Sequence, residues 1–374
     1  MTRPLHGRTI GLLSAWASRL GGGVFEAVLA QAKLIEALGG TARVFALHDA
    51  YSDADRPRFG SVAVETFPIV GPELIGFAPR LIPALLDAPI DALHLHGIWK
   101  YPSRAGAIWA RRTGRPYLIS PHGMLDPWIT SRGRWKKALA RRGYENASWR
   151  AASAFHALTG DEAADILRET GRDTVHVIAN PAPPPGPPPS LARLPHVVAI
   201  GRIHPKKNLG ALVAAWRQAR LPAGARLILA GWGDPVDVAA LEAVVAEAGP
   251  DVDFIRPVYG EDKARLLAGA RFTVLPSFSE GLPMAAIEGW AAGTPAILTP
   301  ACHLPEGVEA GAALACGTDP ASIARALEQG LGLEPGRWLA MARAAQALAT
   351  GPFSETEIAA RWADAYGAAL DEPR

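Results

Sequence analysis

The stretch PSFSEGLPMAAIEGWAAGTP, Pro276 to Pro295, sets two carboxylates, Glu280 and Glu288, around the start of a helix. FTVLPS reads as a strand leading into it, and Pro283 suits a first helical turn, where its missing N–H would be unpaired anyway. The free N–H groups of that turn, near Gly281, Leu282 and Met284, carry partial positive charge and can hold phosphate oxygens. Glu280 is then expected in the loop outside the helix mouth, and Glu288 a turn or more inside with its side chain tilted back towards the N-terminus. Eight residues at a helical rise span ~12 Å, and less through a turn, about the reach of a sugar, a diphosphate and a ribose laid end to end. One carboxylate would grip sugar hydroxyls, the helix mouth the diphosphate, and the other carboxylate the ribose. Such a pair alone also occurs on solvated helix faces, so the rest of the chain must supply the surrounding site.

Two further segments have the required chemistry. GRIHPKKNL follows the apolar run HVVAI and places Arg202 and Lys207 where a planar fork and a point charge could neutralise a diphosphate. AGWGD follows ARLIL, and its Gly231 and Gly233 would allow close backbone approach. In the first half, Gly21, Gly22 and Gly23 precede a helical pattern and could let the backbone pass close to phosphates. The run DALHLHGIW ends on His94 and His96, and YLISPHGMLDPW places His122 and then Asp126 in a loop after a strand. His122 is the first choice for a site histidine and His96 the second; His94 reads as structural.

The elements that must position these residues alternate along the whole chain. RTIGLLS, ARVFAL, DALHLH, PYLIS, AFHAL and VHVIA are interleaved with helical patterns. After the proline-rich segment Asn180 to Pro195 the alternation restarts with HVVAIG, ARLILAG, VDFIR, FTVLPS and PAILT. This predicts two α/β domains with parallel, doubly wound sheets, whose ligands gather at the carboxyl ends of the strands. The expected domains are residues 1–185, 186–352 and a terminal helical segment, 353–374, packing back towards the first domain. The terminal segment carries apolar residues at Phe353, Ile358, Trp362 and Tyr366.

Composition narrows the class. With 49% hydrophobic and 20% charged residues in 374, the chain is of ordinary globular type, and no run approaches the ~18 apolar residues that would cross a bilayer. The amino-terminal stretch has no separate apolar core with a small-residue cleavage site, so a cytoplasmic location is expected. Cys302 and Cys316 are too few for a disulfide framework and read as buried residues. DAD at Asp53–Asp55 and DVD at Asp251–Asp253 resemble short metal motifs but lack a supporting context.

Charge is uneven: residues 1–185 hold 22 Lys/Arg against 16 Asp/Glu, and 186–374 hold 16 against 20. Much of the excess lies between Arg132 and Arg150, with seven basic residues against Glu145 alone, interleaved with Trp135 and Trp149 and preceded by Trp128. A basic, aromatic surface of this kind suits peripheral contact with anionic lipid at the inner face of a membrane; no nucleic-acid recognition motif accompanies it.

The run VVAIGRIHPKKNL, LILAGWGD and VYGEDKARLLAGARFTVLPSFSEGLPMAAIEGWAAGTPAIL resembles the retaining glycosyltransferases of family 4, of GT-B fold. The resemblance covers nearly all of the second half and implies two Rossmann-like domains facing a cleft. It assigns Glu280 to donor-sugar hydroxyls, Glu288 to the ribose, Arg202 and Lys207 to the diphosphate and His122 to the donor sugar. It also implies a glycine-rich loop at Gly22 and Gly23, a nucleotide-diphosphate hexose as donor, and no metal or other cofactor. The acceptor it suggests is a glycan or a polyprenyl-diphosphate-linked sugar of bacterial cell-surface polysaccharide synthesis. Competing readings are a catalytically idle nucleotide-sugar-binding subunit and another two-domain nucleotide-sugar enzyme such as an epimerase or a phosphorylase. An NAD-dependent oxidoreductase is disfavoured because no G-x-G-x-x-G follows the first strand.

Overall fold

The computed structural model describes residues 4–371. The chain forms two compact units. The first combines the chain up to Ala179 with the segment from Ala359 onward, and the second spans Asn180–Ile358.

Unit one is built on seven parallel strands, β1 Thr9–Trp16, β2 Thr41–Leu47, β3 Ala63–Phe67, β4 Ala92–His96, β5 Tyr117–Ser120, β6 Ala154–Ala157 and β7 Val175–Val177. They lie in the order β3-β2-β1-β4-β5-β6-β7, so the winding reverses between β1 and β4. Helices cover both faces, which is why all five residues of β4 are buried instead of alternating. The helix Gly23–Ala37 buries Phe25, Val28, Leu29, Ala32 and Ile35, an i, i+3, i+4, i+7 stripe that sequence spacing dictates. The helix Tyr101–Thr113 ends at Gly114, which takes the left-handed conformation at φ 67 that favours glycine. Trp109, Tyr117 and Phe155 fill the core.

The helix Glu355–Asp371 presents Trp362 and Tyr366 to unit one. The Tyr366 hydroxyl is hydrogen-bonded to His94 Nδ1 at 2.8 Å and accepts from Gln31 at 2.9 Å, all three residues being buried. Trp362 packs on the His156 ring at 4.5 Å.

Unit two has six parallel strands, β8 His196–Ile203, β9 Arg226–Gly233, β10 Val252–Ile255, β11 Phe272–Leu275, β12 Ala296–Leu298 and β13 Ala313–Ala315, in the order β10-β9-β8-β11-β12-β13. β3 and β13 have no counterpart among the strands expected from sequence. The segment before β8 is tied to this unit: Gly186 N–H donates to the Ala291 carbonyl at 2.9 Å, and the Arg193 guanidinium donates to the carbonyls of Ala270 and Ala292.

The structure corrects three local expectations here. GRI continues β8, and WG extends the expected strand ARLILAG of β9, so Arg202 and Gly233 sit in the last strand residues instead of after them. The partners are Gly201 with Gly231, Arg202 with Trp232 and Ile203 with Gly233. A Cβ on Gly231 would lie 1.9 Å from the Gly201 carbonyl oxygen, and one on Gly233 2.3 Å from that of Ile203. These glycines therefore serve the close approach of two strands. Pro283 is the cap of the helix Met284–Ala291, with ψ 90, and stands just before the first turn instead of within it.

Candidate active site

On unit two, the winding reverses between β8 and β11, which opens the carboxyl ends of these strands to a ligand. Glu280 is buried there at 7% exposure. Its Oε1 accepts from Lys207 Nζ at 2.5 Å and from Ser277 Oγ at 2.6 Å, while its N–H donates to the Ala301 carbonyl. Lys207 reaches it from a short 3-10 turn, Pro205–Lys207, closed by Asn208 in the left-handed conformation. Asn208 holds that turn in place by donating to the carbonyls of Pro276 and Thr318. Arg202 is exposed, and no hydrogen bond or ion pair engages its guanidinium among the described residues. The N–H groups of Gly281, Leu282 and Met284 likewise have no partner among the described residues. A cation, a held carboxylate, a guanidinium without a partner among the described residues and open N–H groups thus lie at the carboxyl end of one sheet.

Glu288, inside the helix Met284–Ala291, pairs with Lys263 of the helix Gly260–Gly269. Both side chains are about a quarter exposed, at 23% and 25%. The two glutamates are therefore each held by a lysine, Glu280 by Lys207 and Glu288 by Lys263. Lys263 did not emerge from the sequence, because nothing local marks a lysine on one helix as the partner of a glutamate on the next.

Unit one gathers the histidines. His96 Nδ1 and His122 Nε2 are 3.0 Å apart with rings stacked at 20°, so one donates and the other accepts. Burial, with His156 nearby, pushes the His122 imidazole down to about 3. His122 adopts φ 55 and Gly123 φ 73. That turn is fixed by Glu162, which accepts from the Gly123 N–H at 2.5 Å and the Leu158 N–H at 2.8 Å. The sequence carried a signal for Glu162, since T-x-x-E at Thr159–Glu162 is a capping-box pattern. His96 is 2% exposed and lines a cavity of about 130 Å³ with Trp16, Gly21, Val24, Lys100 and Met124. Its Nε2 has no partner among the described residues. Gly22 caps the helix Gly23–Ala37 at φ 55, and a Cβ on either Gly22 or Gly23 would meet nothing within 4 Å. His94 belongs to the interior, between Tyr366 and Ser120, and Ser120 in turn bonds His156. Asp126 caps the short helix Pro127–Thr130 by accepting from the Trp128 N–H.

The basic segment divides in a way its sequence hides. Trp149 is 3% exposed and belongs to the core, which removes it from any surface role. Trp128 is half-buried under the Arg132 guanidinium, 3.3 Å from the ring centre. Trp135 and Leu139, on the helix Arg134–Ala140, are exposed at 70% and 69%. Past this helix the chain makes a π-turn, Arg141–Glu145, and buries Glu145 completely. One oxygen of Glu145 accepts from the Trp99 N–H at 2.5 Å, and burial pushes its carboxyl up to about 7. The aspartates of both short acidic motifs are engaged elsewhere: Asp55 with Arg19, and Asp253 with Arg226.

Comparison with known proteins places this geometry. Residues 194–332 match the family model described as glycosyl transferases group 1, and residues 22–183 match the glycosyl transferase 4-like domain. A D-inositol 3-phosphate glycosyltransferase of Streptomyces scabiei is 32% identical over 313 residues, covering 76% of this chain and 69% of that protein. Its counterpart from Mycobacterium sp. strain KMS is 31% identical over 185 residues, where the match covers 48% of this chain and only 40% of the relative. Among solved structures, Anabaena HepE in complex with UDP and glucose has a TM-score of 0.77 at 19% identity, with 96% of this chain and all of that one covered. Sucrose-phosphate synthase from Thermosynechococcus elongatus has a TM-score of 0.76 at 19% identity, covering 96% and 98%. The two parallel α/β units are those of the GT-B fold, and the chain belongs to the family-4 type of GT-B glycosyltransferases.

Proposed function

We propose that the enzyme moves a hexose-type sugar, with retention, from a nucleotide-diphosphate donor to a hydroxyl of a glycan or a polyprenyl-diphosphate-linked acceptor in cell-surface polysaccharide synthesis. The observation that carries this is the grouping on unit two of the Lys207–Glu280 pair with the Arg202 guanidinium and the N–H groups of Gly281, Leu282 and Met284, which have no partner among the described residues. A diphosphate seated there meets two cations and a helix mouth, which stabilise the charge that grows on it as the bond to the anomeric carbon breaks. The acceptor oxygen forms the new bond on the same face, and its proton passes to a departing phosphate oxygen. No metal is needed in this scheme, because Arg202 and Lys207 supply the positive charge.

The relatives support the substrate classes without fixing them: one is an inositol phosphate glycosyltransferase, another an O-antigen chain mannosyltransferase of Escherichia coli, 31% identical over 158 residues, and a neighbour of like fold was solved with UDP and glucose. On unit two, Glu280 holds sugar hydroxyls and Glu288 the ribose. Among the described residues no helix is long and apolar enough to cross a membrane. Exposed Trp135 and Leu139, beside Arg132, Arg134 and Lys136, support contact with the surface of an anionic bilayer instead. Incubation with radiolabelled UDP-, GDP- and ADP-sugars tests the reaction: one of them releases or transfers its sugar, and Glu280→Ala lowers the rate at least ~100-fold. Absence of turnover with every donor, or full turnover in Glu280→Ala, contradicts the assignment.

A further inference from the structure

The two glutamates of unit two are not held alike. Glu280 takes two donors on one oxygen, Lys207 Nζ and Ser277 Oγ. Glu288 depends on a single partner: its Oε2 is buried in the ion pair with Lys263, and no other side chain engages the carboxylate among the described residues. Its Oε1 has no partner there at all. Lys263 makes this pair from the helix Gly260–Gly269, which packs beside the helix Met284–Ala291 that carries Glu288. Both side chains flank a cavity of about 520 Å³, whose walls include Pro183, Pro187, Leu267 and Ala291. Arg265 also lines this cavity, but its guanidinium is engaged by Asp262. Lys263 is therefore the group that keeps Glu288 from swinging into that space.

We propose that Lys263 is a positioning residue for ribose recognition: it fixes Oε2 of Glu288 and so aims Oε1 at a ribose hydroxyl, which makes the site select ribonucleotides. The inference rests on the reading that places the donor ribose at Glu288. A glutamate has three side-chain torsions, and a carboxylate that roams an open cavity loses that freedom each time it grips a ligand. The ion pair removes the freedom before the ligand arrives, so more of the hydrogen bond to the ribose appears as affinity. Lys263 itself touches no part of the donor in this scheme. Its effect is confined to the hydroxyls that Glu288 reads, and a ligand without those hydroxyls gains nothing from it. That separates a positioning role from a general contribution to the fold, which would act on every ligand of unit two alike.

The test is calorimetric titration of the unmodified chain and of Lys263→Met, Lys263→Gln and Lys263→Arg with UDP, GDP and ADP, their 2′,3′-dideoxy counterparts and inorganic pyrophosphate. For a nucleoside diphosphate that binds, the unmodified chain is expected to prefer the ribose form to the dideoxy form by roughly tenfold or more, the effect of a hydrogen bond to a charged group. Lys263→Met and Lys263→Gln, which remove the charge, bring that preference down to about threefold or less, and Lys263→Arg retains it. The dideoxy form and pyrophosphate bind all four proteins alike. A ribose preference that is unchanged in Lys263→Met and Lys263→Gln overturns the proposal and leaves the ribose at Glu288. An equal loss for the ribose and dideoxy forms also overturns it, by showing direct contact of Lys263 with another part of the donor or, where pyrophosphate weakens too, general damage to the site. Equal binding of both forms by the unmodified chain removes the ribose from Glu288, and the proposal falls with it. If no nucleoside diphosphate binds that chain, the glycosyltransferase reading falls as well.

Discussion

Lys207 and Glu280 are 73 residues apart in sequence and meet in a 2.5 Å ion pair, with the carboxylate only 6% exposed and the ammonium 17%. A buried carboxylate with one cation and one hydroxyl for partners depends on both for its solvation, and removing the cation leaves the charge uncompensated. Lys207→Ala therefore has two consequences. Stability falls by about 3 kcal/mol, seen as a lower unfolding midpoint in the absence of ligand, and affinity for a bare nucleoside diphosphate falls at least ~10-fold, seen by calorimetry. Lys207→Arg restores the charge and recovers most of the stability. A Lys207→Ala protein with unaltered ligand affinity removes Lys207 from the diphosphate site. The pairing itself was not legible in the sequence. GRIHPKKN and SEGLPMAAIE announce their residue types and their order, but which lysine faces which glutamate is decided by the reversal of strand order between β8 and β11.

At the scale of elements, the β-branched and apolar runs of β1, β2, β4, β8 and β11 were readable because strands buried on both faces need continuous apolar sequence. β3, AVETF, and β13, ALA, escaped because one carries a charge mid-strand and the other has three residues without a β-branched side chain. The extension of β8 and β9 through their glycines escaped for a different reason. Glycine normally argues against a strand, and here the 1.9 Å separation that a Gly231 Cβ would have from the Gly201 carbonyl requires it. Likewise the basic helix Arg134–Ala140 was recognisable as basic and aromatic, but only packing could tell that Trp149 turns inward and Trp135 outward. Trp135 and Leu139, four residues apart, share one helix face. Replacing both with serine is expected to reduce co-sedimentation with phosphatidylglycerol vesicles several-fold without changing turnover of a water-soluble acceptor. Equal vesicle binding by the variant rules out this helix as the contact.

The balance of titrating groups acts on the molecule as a whole. His94, His96, His122 and His156 are all held neutral by burial, with His122 at about 3 and His156 at about 4, against an ordinary histidine value near 6.5. Their contribution to stability is fully present above that ordinary value and is lost as pH falls from it towards 4, because the unfolded chain then binds protons that the folded chain refuses. Glu145, raised to about 7, works in the opposite sense: it favours the folded state in acid, and that advantage is lost as pH rises from the ordinary carboxyl range through 7. Four depressed histidines outweigh one raised carboxyl, so the unfolding midpoint drops by several degrees between pH 7 and pH 5, with net uptake of about two or more protons on unfolding at pH 5. Calorimetry in buffers of different ionisation heat measures that uptake, and a flat profile contradicts the buried, neutral state of the cluster. Since Tyr366 and Trp362 pack on these rings, acid is also expected to loosen the carboxyl-terminal helix from unit one.

The central claim is that an activated sugar lies across the mouth of the helix Met284–Ala291. A crystal structure of the chain with a non-transferable nucleotide-sugar analogue tests it most directly. The account predicts phosphate oxygens on Arg202, Lys207 and the N–H groups of Gly281, Leu282 and Met284, sugar hydroxyls on Glu280 and the ribose on Glu288. An analogue bound elsewhere on unit two, with the Lys207–Glu280 pair unchanged and Arg202 facing solvent, contradicts it.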